Sequence, residues 1–412
     1  MPVRRFAPAI ERGLDMWAPV VAFALLPTLG LVAGPSYSSM IIGLAAVQLV
    51  AGFCAGRGLP SIDRSLAALA GLFLLLCWAS AAWSIVPRES LRAAFGLTGV
   101  LVALLVFLAG RYDRPDVVAA LFRVLLIAIV VGAAGVCLDM ALGYPLELLV
   151  STKPGVQAAT KYNRGIDYLV LIAWPVLAHA GCRRRWWAMV ALGVAIAVIL
   201  AVTASLATRV AIAVGGVVLL LAWLAPRLMA IGLAWGTAAY VVTLPVALHL
   251  LAGHLLAARR MALAPFLKPS GIHRLEIWDY MTARVFEHPI RGWGLRNASF
   301  VPIRPAELAH YVYAGPGGIY PHNQWLELWV ELGAPGAVLG LMFAVLVLRR
   351  VLLLPVGVRP FAYAAFASAM TVASVNYEVV TDSWWCALAA CGLLFSLGGR
   401  AVAGAGTARG RA

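Results

Sequence analysis

The sequence is poor in charged residues. Only 12% of its 412 residues are Asp, Glu, Lys or Arg, whereas about 25% is usual in a soluble domain. Hydrophobic residues make up 63% of the chain and recur in long apolar runs. This composition excludes a secreted or cytosolic enzyme, a disordered chain and a protein with one membrane anchor. We therefore expect an all-α polytopic membrane protein.

The sequence also lacks the patterns of a metal centre or a disulfide framework. Its six cysteines form no CxxC pair and all fall in or beside apolar stretches. Such spacing indicates neither a zinc site nor structural disulfides. The predicted outer side has no DxD pair of the kind that holds Mg²⁺. We therefore expect no metal and no cofactor.

The apolar runs predict about twelve transmembrane helices. Each run has about the length that a helix needs to cross ~30 Å of hydrocarbon, roughly 20 residues. The predicted spans are 17–34, 37–54, 65–86, 93–110, 117–142, 166–181, 186–203, 208–225, 228–252, 334–354, 359–377 and 383–399. The N-terminus lacks a small-residue cleavage site, so the first span is predicted to be uncleaved.

The distribution of basic residues indicates the orientation of the chain in the membrane. With the N-terminus inside, every inner segment carries at least one Arg, and residues 182–186 carry three. By the positive-inside rule, both termini are then cytoplasmic, and the net charge of +15 implies no nucleic-acid partner. The chain divides into spans one to nine at 1–252, a large periplasmic catalytic loop with short helices at 253–333, spans ten to twelve at 334–399, and a short basic cytoplasmic tail at 400–412.

Some basic residues lie on the predicted outer side, although moving a positive charge across the membrane costs free energy. Loop length accounts for the basic residues within 253–333, because long loops translocate largely regardless of charge. It does not account for Arg88, Arg164 and Arg209, which lie in short loops or at span ends. Guanidinium groups bind phosphate bidentately. These arginines therefore favour a site for an anionic ligand, with contact to lipid phosphate as the alternative.

The long outer loop contains one clear helical pattern, at 272–288. Its apolar stripe comprises Leu275, Trp278, Met281, Val285 and Phe286. Such a helix should lie at the membrane surface or pack across the bundle. Pro289 ends the pattern, and Gly292 and Gly294 predict a turn. Residues 297–321 have no helical period and suit either a mobile lid or a plain connector.

A short helix is predicted to begin next to His322. Its apolar stripe comprises Trp325, Leu328, Trp329 and Leu332, and Gly333 is a C-terminal stop signal. His322 therefore lies at the outer membrane face, just before span ten. A lone histidine is more often structural than catalytic, but this one shares its side of the membrane with the outer arginines.

These residues resemble the O-antigen ligase/O-antigen polymerase superfamily of membrane glycosyltransferases. The resemblance is carried by His322, Asn323, Leu326, Glu331, Gly333 and Gly336, by Arg274 and Trp278 with the segment 288–294, and by Thr208 with Arg209. It implies a GT-C-like fold in the bacterial inner membrane, with a periplasmic active site. It also implies a glycan donor on undecaprenyl diphosphate. In the ligase branch the acceptor is a sugar hydroxyl of lipid A–core, and the product is lipopolysaccharide.

The resemblance implies a role for each matching position. Arg209 and Arg274 would bind the donor diphosphate, and His322 would act on the acceptor hydroxyl. Further substrate-binding candidates are Arg88, Arg164, Arg291 and Asn323, and Glu331, Gly333 and Trp278 are orienting or structural candidates. The chemistry agrees, because arginines stabilise a leaving diphosphate and histidine suits a general base. Direct displacement without a metal would invert the anomeric configuration.

Three enzyme activities share these motifs: O-antigen ligase, O-antigen polymerase and protein O-oligosaccharyltransferase. The short basic tail favours the ligase over the protein glycosylating branch. A transporter of lipid-linked glycan is the non-enzyme alternative, but transporters place charges near the midplane and often show an internal repeat. Here the charges concentrate in one outer loop. The glycan, the accepting sugar, the linkage and the oligomeric state stay open.

Overall fold

The fold is all-helical, as predicted. The computed structural model describes residues 3–34, 36–54, 56, 58, 60–110, 112, 114–146, 158–203, 205–260, 269–303 and 320–409. Every regular element within these ranges is an α-helix or a short 3-10 turn. The segment 304–319, which holds most of the predicted lid or connector, lies outside the described residues.

The α-helices follow one another through short connections. In chain order they are α1 (Val3–Val32), α2 (Ser36–Cys54), α3 (Arg64–Ala79), α4 (Pro87–Leu108), α5 (Pro115–Ala141), α6 (Ala158–Cys182), α7 (Trp186–Val202), α8 (Leu206–Leu224), α9 (Pro226–Arg260), α10 (Pro269–Glu287), α11 (Gln324–Val351), α12 (Arg359–Ala373) and α13 (Asp382–Arg409). The 3-10 turns are Ser80–Ala82 and Ala298–Phe300.

Nine helices of the described ranges are long and apolar enough to cross a membrane. By length and composition, these helices are consistent with the predicted polytopic membrane protein. The apolar part of α1 (Trp17–Leu31) and helix α7 are shorter, and α12 has 15 residues. Each predicted span therefore has a helix at its place in the chain, but the number twelve stays a prediction.

The helices at the edges of the long outer loop extend further than predicted. Helix α9 continues beyond residue 252 to Arg260. Helix α11 begins at Gln324, so the predicted short helix and span ten form one element. A kink divides this element at Gly333, whose φ of 64° and ψ of −159° are not helical. The stop signal at Gly333 thus breaks the helix without adding a loop.

Helix α6 lies at the centre of the bundle. It is the most buried of the candidate spans, with 78% of its apolar window buried, and it packs against α1, α12 and α13. Aromatic rings line its N-terminal end: Tyr168 lies 4.7 Å from Tyr37 and 5.8 Å from Tyr377, measured between ring centroids. This packing fixes the end of α6 that carries Arg164.

Candidate active site

The backbone around His322 is held by the start of α11. Asn323 is the N-cap residue, and its side-chain oxygen accepts hydrogen bonds from the backbone N–H groups of Trp325 and Leu326, each at 3.1 Å. His322 has a φ of 51°, an uncommon conformation for a residue other than glycine. Its ring lies 3.9 Å from that of Tyr320, measured between centroids. The helix cap therefore fixes one side of the turn that contains His322.

Helix α10 holds the other side of this turn. The indole N–H of Trp278 donates to the carbonyl oxygen of Pro321 at 2.8 Å. Arg274 lies one helical turn before Trp278 on the same element. The helix is itself anchored by buried Ile277 and Met281, which belong to the main core. It packs against α9 and α11, and these contacts fit the prediction of a helix that packs across the bundle.

Positive charges act on the imidazole of His322. Its pKa is lowered to about 4, first by burial and then by the charges of Arg274, His273 and Arg164. Burial also lowers the pKa of the Arg274 guanidinium. At neutral pH the imidazole is therefore uncharged, and its buried Nδ1 has no hydrogen-bond partner within the described ranges. A neutral imidazole beside guanidinium groups can accept a proton while they hold an anion.

Two members of this cluster, His273 and Tyr320, were not predicted from the sequence. His273 precedes Arg274 directly, and it acts on the charge state of His322. The ring of Tyr320 lies close to that of His322, tilted by 44°, and Tyr320 interacts electrostatically with Arg274. Both stand within two residues of a predicted site residue. That closeness in sequence is the feature from which they could have been predicted.

Arg209 makes its observed contacts elsewhere. Its guanidinium donates to the carbonyl oxygens of Leu200 at 3.0 Å and Thr203 at 2.6 Å, at the C-terminal end of α7. These bonds satisfy carbonyl groups that a helix end leaves unpaired. Among the described residues, no hydrogen bond or ion pair joins Arg209 to His322. The structure therefore gives Arg209 a contact with α7 and leaves its predicted contact with diphosphate untested.

Arg88 and Arg291 are not among the residues whose charges act on His322. Both side chains are exposed. The backbone carbonyl of Arg291 accepts a hydrogen bond from the indole of Trp83 at 2.8 Å, so its observed contact is structural. Within the described part of the chain, no hydrogen bond or ion pair connects either arginine with His322.

A buried carboxylate organises the end of α6 that carries Arg164. Asp167 accepts hydrogen bonds from the hydroxyl of Thr208 at 2.6 Å, the amide of Asn376 at 2.7 Å and the hydroxyl of Tyr377 at 3.2 Å. The Asp167 carboxylate thus joins α6, the start of α8 and the connection between α12 and α13. Because Asp167 lies one turn after Arg164, this network sets the position of the Arg164 backbone.

The kink in α11 is filled by the loop 288–298. A break in a helix leaves backbone groups without intrahelical partners, and the loop supplies them. The bonds run from Trp293 N to Val330 O at 2.9 Å, from Gly294 N to Glu331 O at 2.8 Å and from Ala334 N to Pro289 O at 2.8 Å. A Cβ atom on Gly333 would lie 2.2 Å from the carbonyl oxygen of Ile290. Only glycine fits this contact.

The side chain of Glu331 also binds the loop 288–298. Its buried carboxylate accepts from the backbone N–H groups of Arg296 at 2.7 Å and Ala298 at 3.1 Å. Arg296 in turn forms an ion pair with Glu378. In the described part of the chain, no hydrogen bond joins Glu331 to His322. Of the two predicted roles, the observed contacts of Glu331 support the structural one.

Metal-ligating side chains do not cluster in the described ranges. No group of three or more His, Cys, Asp or Glu residues there is placed to hold a metal ion. The positive charges that act on His322 come from Arg274, His273 and Arg164, and guanidinium groups bind anions. The charges of the site therefore favour a phosphate-containing ligand.

Part of the chain is similar to known proteins. Residues 191–341 match a family model described as O-Antigen ligase, and this segment includes Arg209, Arg274 and His322. A protein of Rickettsia conorii, provisionally named a polysaccharide ligase, is 26% identical over 233 residues, which is 54% of each chain. A Rickettsia typhi protein with the same provisional name is 24% identical over 54% of this chain and 55% of its own. The chain thus spans about half the length of the curated relatives it matches. Over the segment 191–341 the chain is therefore similar to the O-antigen ligase family.

Proposed function

We propose that this chain is an O-antigen ligase of the bacterial inner membrane. It transfers a glycan from undecaprenyl diphosphate to a sugar hydroxyl of lipid A–core on the periplasmic side, which completes lipopolysaccharide. The observation that carries the proposal is the half-buried imidazole of His322, which is uncharged at neutral pH and on which the positive charges of Arg274 and Arg164 act. The family match supports glycan ligation. The identities of the donor and the acceptor go beyond that match and belong to the proposal.

In this proposal the arginines hold the leaving group. Arg274 and Arg164 bind the donor diphosphate, whose negative charge grows as the bond to the anomeric carbon breaks. Fixed positive charge in a site with little water lowers the energy of such a transition state by several kcal/mol in comparable enzymes. The same charges take the place of a metal ion. Arg209 is assigned to the donor on the family resemblance, although its guanidinium already pairs with backbone oxygens.

His322 is the general base. Its imidazole accepts the proton of the acceptor hydroxyl, and that oxygen attacks the anomeric carbon. The bond from this carbon to the diphosphate oxygen breaks, and its electron pair leaves with undecaprenyl diphosphate. General-base catalysis contributes roughly 10²–10⁴-fold. Because the displacement is direct, the anomeric configuration inverts.

The test is a lipopolysaccharide gel from cells that lack the gene. The cells are complemented with the unchanged chain, with His322→Ala or with His254→Ala as the matched control. His254 lies on α9 and its Nδ1 contacts the carbonyl of Leu250, outside the cluster. We expect bare core and accumulated lipid-linked glycan with His322→Ala, and a normal ladder with the control.

Other results would contradict the proposal. Core that bears a single repeat in the uncomplemented cells would make the chain a polymerase, because ligation would be intact. A normal ladder with His322→Ala would remove His322 from catalysis. For the purified protein, loss of transfer in EDTA with recovery in Mg²⁺ would overturn the assignment of the arginines as the replacement for a metal. Transfer that needs an ion gradient would favour a transporter.

A further inference from the structure

A second candidate site lies at the other end of α6. Arg164 and His179 stand 15 residues apart on this helix, which corresponds to roughly 22 Å at ~1.5 Å per residue. A cavity of about 500 Å³ beside His179 opens between α5, α6 and α7. A second cavity of about 430 Å³ adjoins it where the ends of α5, α6 and α13 meet. This end of the bundle is the one predicted to be cytoplasmic.

The larger cavity is apolar and opens towards the outside of the bundle. Its wall includes Leu126, Val130 and Val176. At its rim Ile127, Val131 and Trp187 are 55%, 56% and 65% exposed. In a membrane-spanning bundle, exposed apolar side chains of this kind face lipid. A hydrocarbon chain can therefore enter the cavity from the bilayer.

The smaller cavity carries the positive charge. Arg123 and Arg185 line both cavities, and Arg183 and Arg400 line the smaller one. None of the residues that form these two walls, all from described segments, is acidic. Asp116, which adjoins the wall, is paired with Arg114 at 2.6 Å. Four arginines thus converge where the apolar cavity ends.

His179 supplies an independent sign of a ligand. It lines both cavities, is only 9% exposed and stacks on Phe122 with ring centroids 4.0 Å apart. Its buried Nδ1 has no hydrogen-bond partner among the described residues. Buried polar atoms are nearly always bonded, so an unpaired one marks a place where a ligand or water belongs.

We propose that the two cavities bind one anionic phospholipid of the surrounding bilayer. Its phosphate lies among Arg123, Arg183, Arg185 and Arg400, and one acyl chain occupies the apolar cavity. Basic pockets between transmembrane helices on the cytoplasmic side bind anionic head groups in this way. The apolar cavity favours a lipid over a soluble anion, because a soluble anion would leave it without an occupant. The proposal does not depend on the activity assigned to His322.

The test measures lipid binding to the purified full-length chain in detergent. The probes are dioleoyl phosphatidylglycerol and dioleoyl phosphatidylcholine, detected by native mass spectrometry. The test variant is the double substitution Arg123→Gln/Arg185→Gln. The matched control is Arg64→Gln/Arg349→Gln, because both of these residues are exposed and lie in predicted inner segments. We expect the unchanged chain and the control to prefer phosphatidylglycerol at least fivefold, and the test variant to lose this preference.

A third variant separates the acyl chain from the phosphate. Val131→Trp fills the rim of the apolar cavity and keeps every arginine. It should lower retention of dioleoyl phosphatidylglycerol at least threefold and leave dihexanoyl phosphatidylglycerol unchanged. This variant also carries the test if the double arginine variant fails to fold. Unchanged lipid preference in the test variant would overturn the proposal. So would equal binding of both lipids with displacement by sodium phosphate, which would indicate a soluble anion.

Discussion

The indole nitrogen of Trp278 donates a hydrogen bond of 2.8 Å to the carbonyl oxygen of Pro321, the residue before His322. Through this bond α10 is tied to the turn that presents the imidazole. The same helix carries Arg274, whose charge lowers the pKa of His322. The proposed base and the proposed diphosphate ligand therefore share one rigid support, which favours a fixed distance between them.

Trp278→Phe should slow transfer by about three- to tenfold, because one net hydrogen bond of ~0.5–1.5 kcal/mol is lost while the ring packing remains. The measurement is the rate of glycan transfer by the purified protein. Trp329→Phe is the matched control, since it removes a comparable bond of 2.8 Å to the carbonyl of Val241. The control should keep a rate within about twofold of the unchanged chain. An equal loss in both variants would argue against a positioning role for Trp278.

The activity should depend on pH through His322. A general base must be deprotonated, so activity falls as the pH drops through its pKa. In the free protein that pKa is about 4, so the acid limb of kcat/KM should lie below pH 5. A bound diphosphate offsets the positive neighbours and raises the pKa, so the acid limb of kcat should lie at higher pH.

Profiles measured from pH 4 to 8 would check this expectation. Arg274→Gln removes a positive neighbour of His322, and it should therefore move the acid limb of kcat/KM to higher pH. Arg291→Gln is the control, because Arg291 is exposed and does not contribute to the lowered pKa. Coincident acid limbs for kcat and kcat/KM would contradict the proposed placement of diphosphate beside His322.

Replacing Arg274 by lysine should remove most of the activity. An ammonium group keeps the charge but cannot form the two parallel hydrogen bonds of a guanidinium. The loss of a charged hydrogen bond, ~1.5–3 kcal/mol, corresponds to about a 10- to 100-fold slower transfer. Kinetic constants for donor and acceptor would show whether the donor is affected. Near-normal turnover would remove Arg274 from the diphosphate site.

Arg209→Lys separates two roles for that residue. The structure pairs Arg209 with carbonyl groups at the end of α7, and the family resemblance assigns it to the donor. If only the backbone contact matters, Arg209→Lys lowers the thermal midpoint in detergent and leaves the donor KM unchanged. A raised donor KM at an unchanged midpoint would support the diphosphate role.

The sequence predicted the local features of the site and missed those that depend on distant contacts. Helical period located α10, and the stop signal located the break at Gly333. Motif matches then selected Arg274 and His322. The bonds of Asp167 could not be predicted, because its partner Asn376 lies 209 residues away and the aspartate stands alone in the sequence. The insertion of loop 288–298 into the kink could not be predicted either, because backbone groups make these bonds and no pattern of side chains in the sequence indicates them.

Gly333→Ala should damage both stability and activity. The φ of 64° with a ψ of −159° is accessible in practice to glycine alone and costs other residues about 1–3 kcal/mol. In addition, the new Cβ would lie 2.2 Å from the carbonyl oxygen of Ile290, so the loop 288–298 would have to move away from α11. We expect a lower thermal midpoint in detergent and loss of the lipopolysaccharide ladder.

Gly392→Ala is the matched control for this substitution. Gly392 lies within α13, and a Cβ atom there meets nothing within 4 Å. Because alanine favours a helix over glycine by up to about 1 kcal/mol, the control should be neutral or slightly stabilising. If both variants keep the same thermal midpoint and a normal ladder, the close contact between the kink and the loop does not constrain the site. If Gly333→Ala alone loses the ladder while it still folds, the kink acts on activity. It then does so by fixing the position of the loop 288–298 relative to the turn at His322.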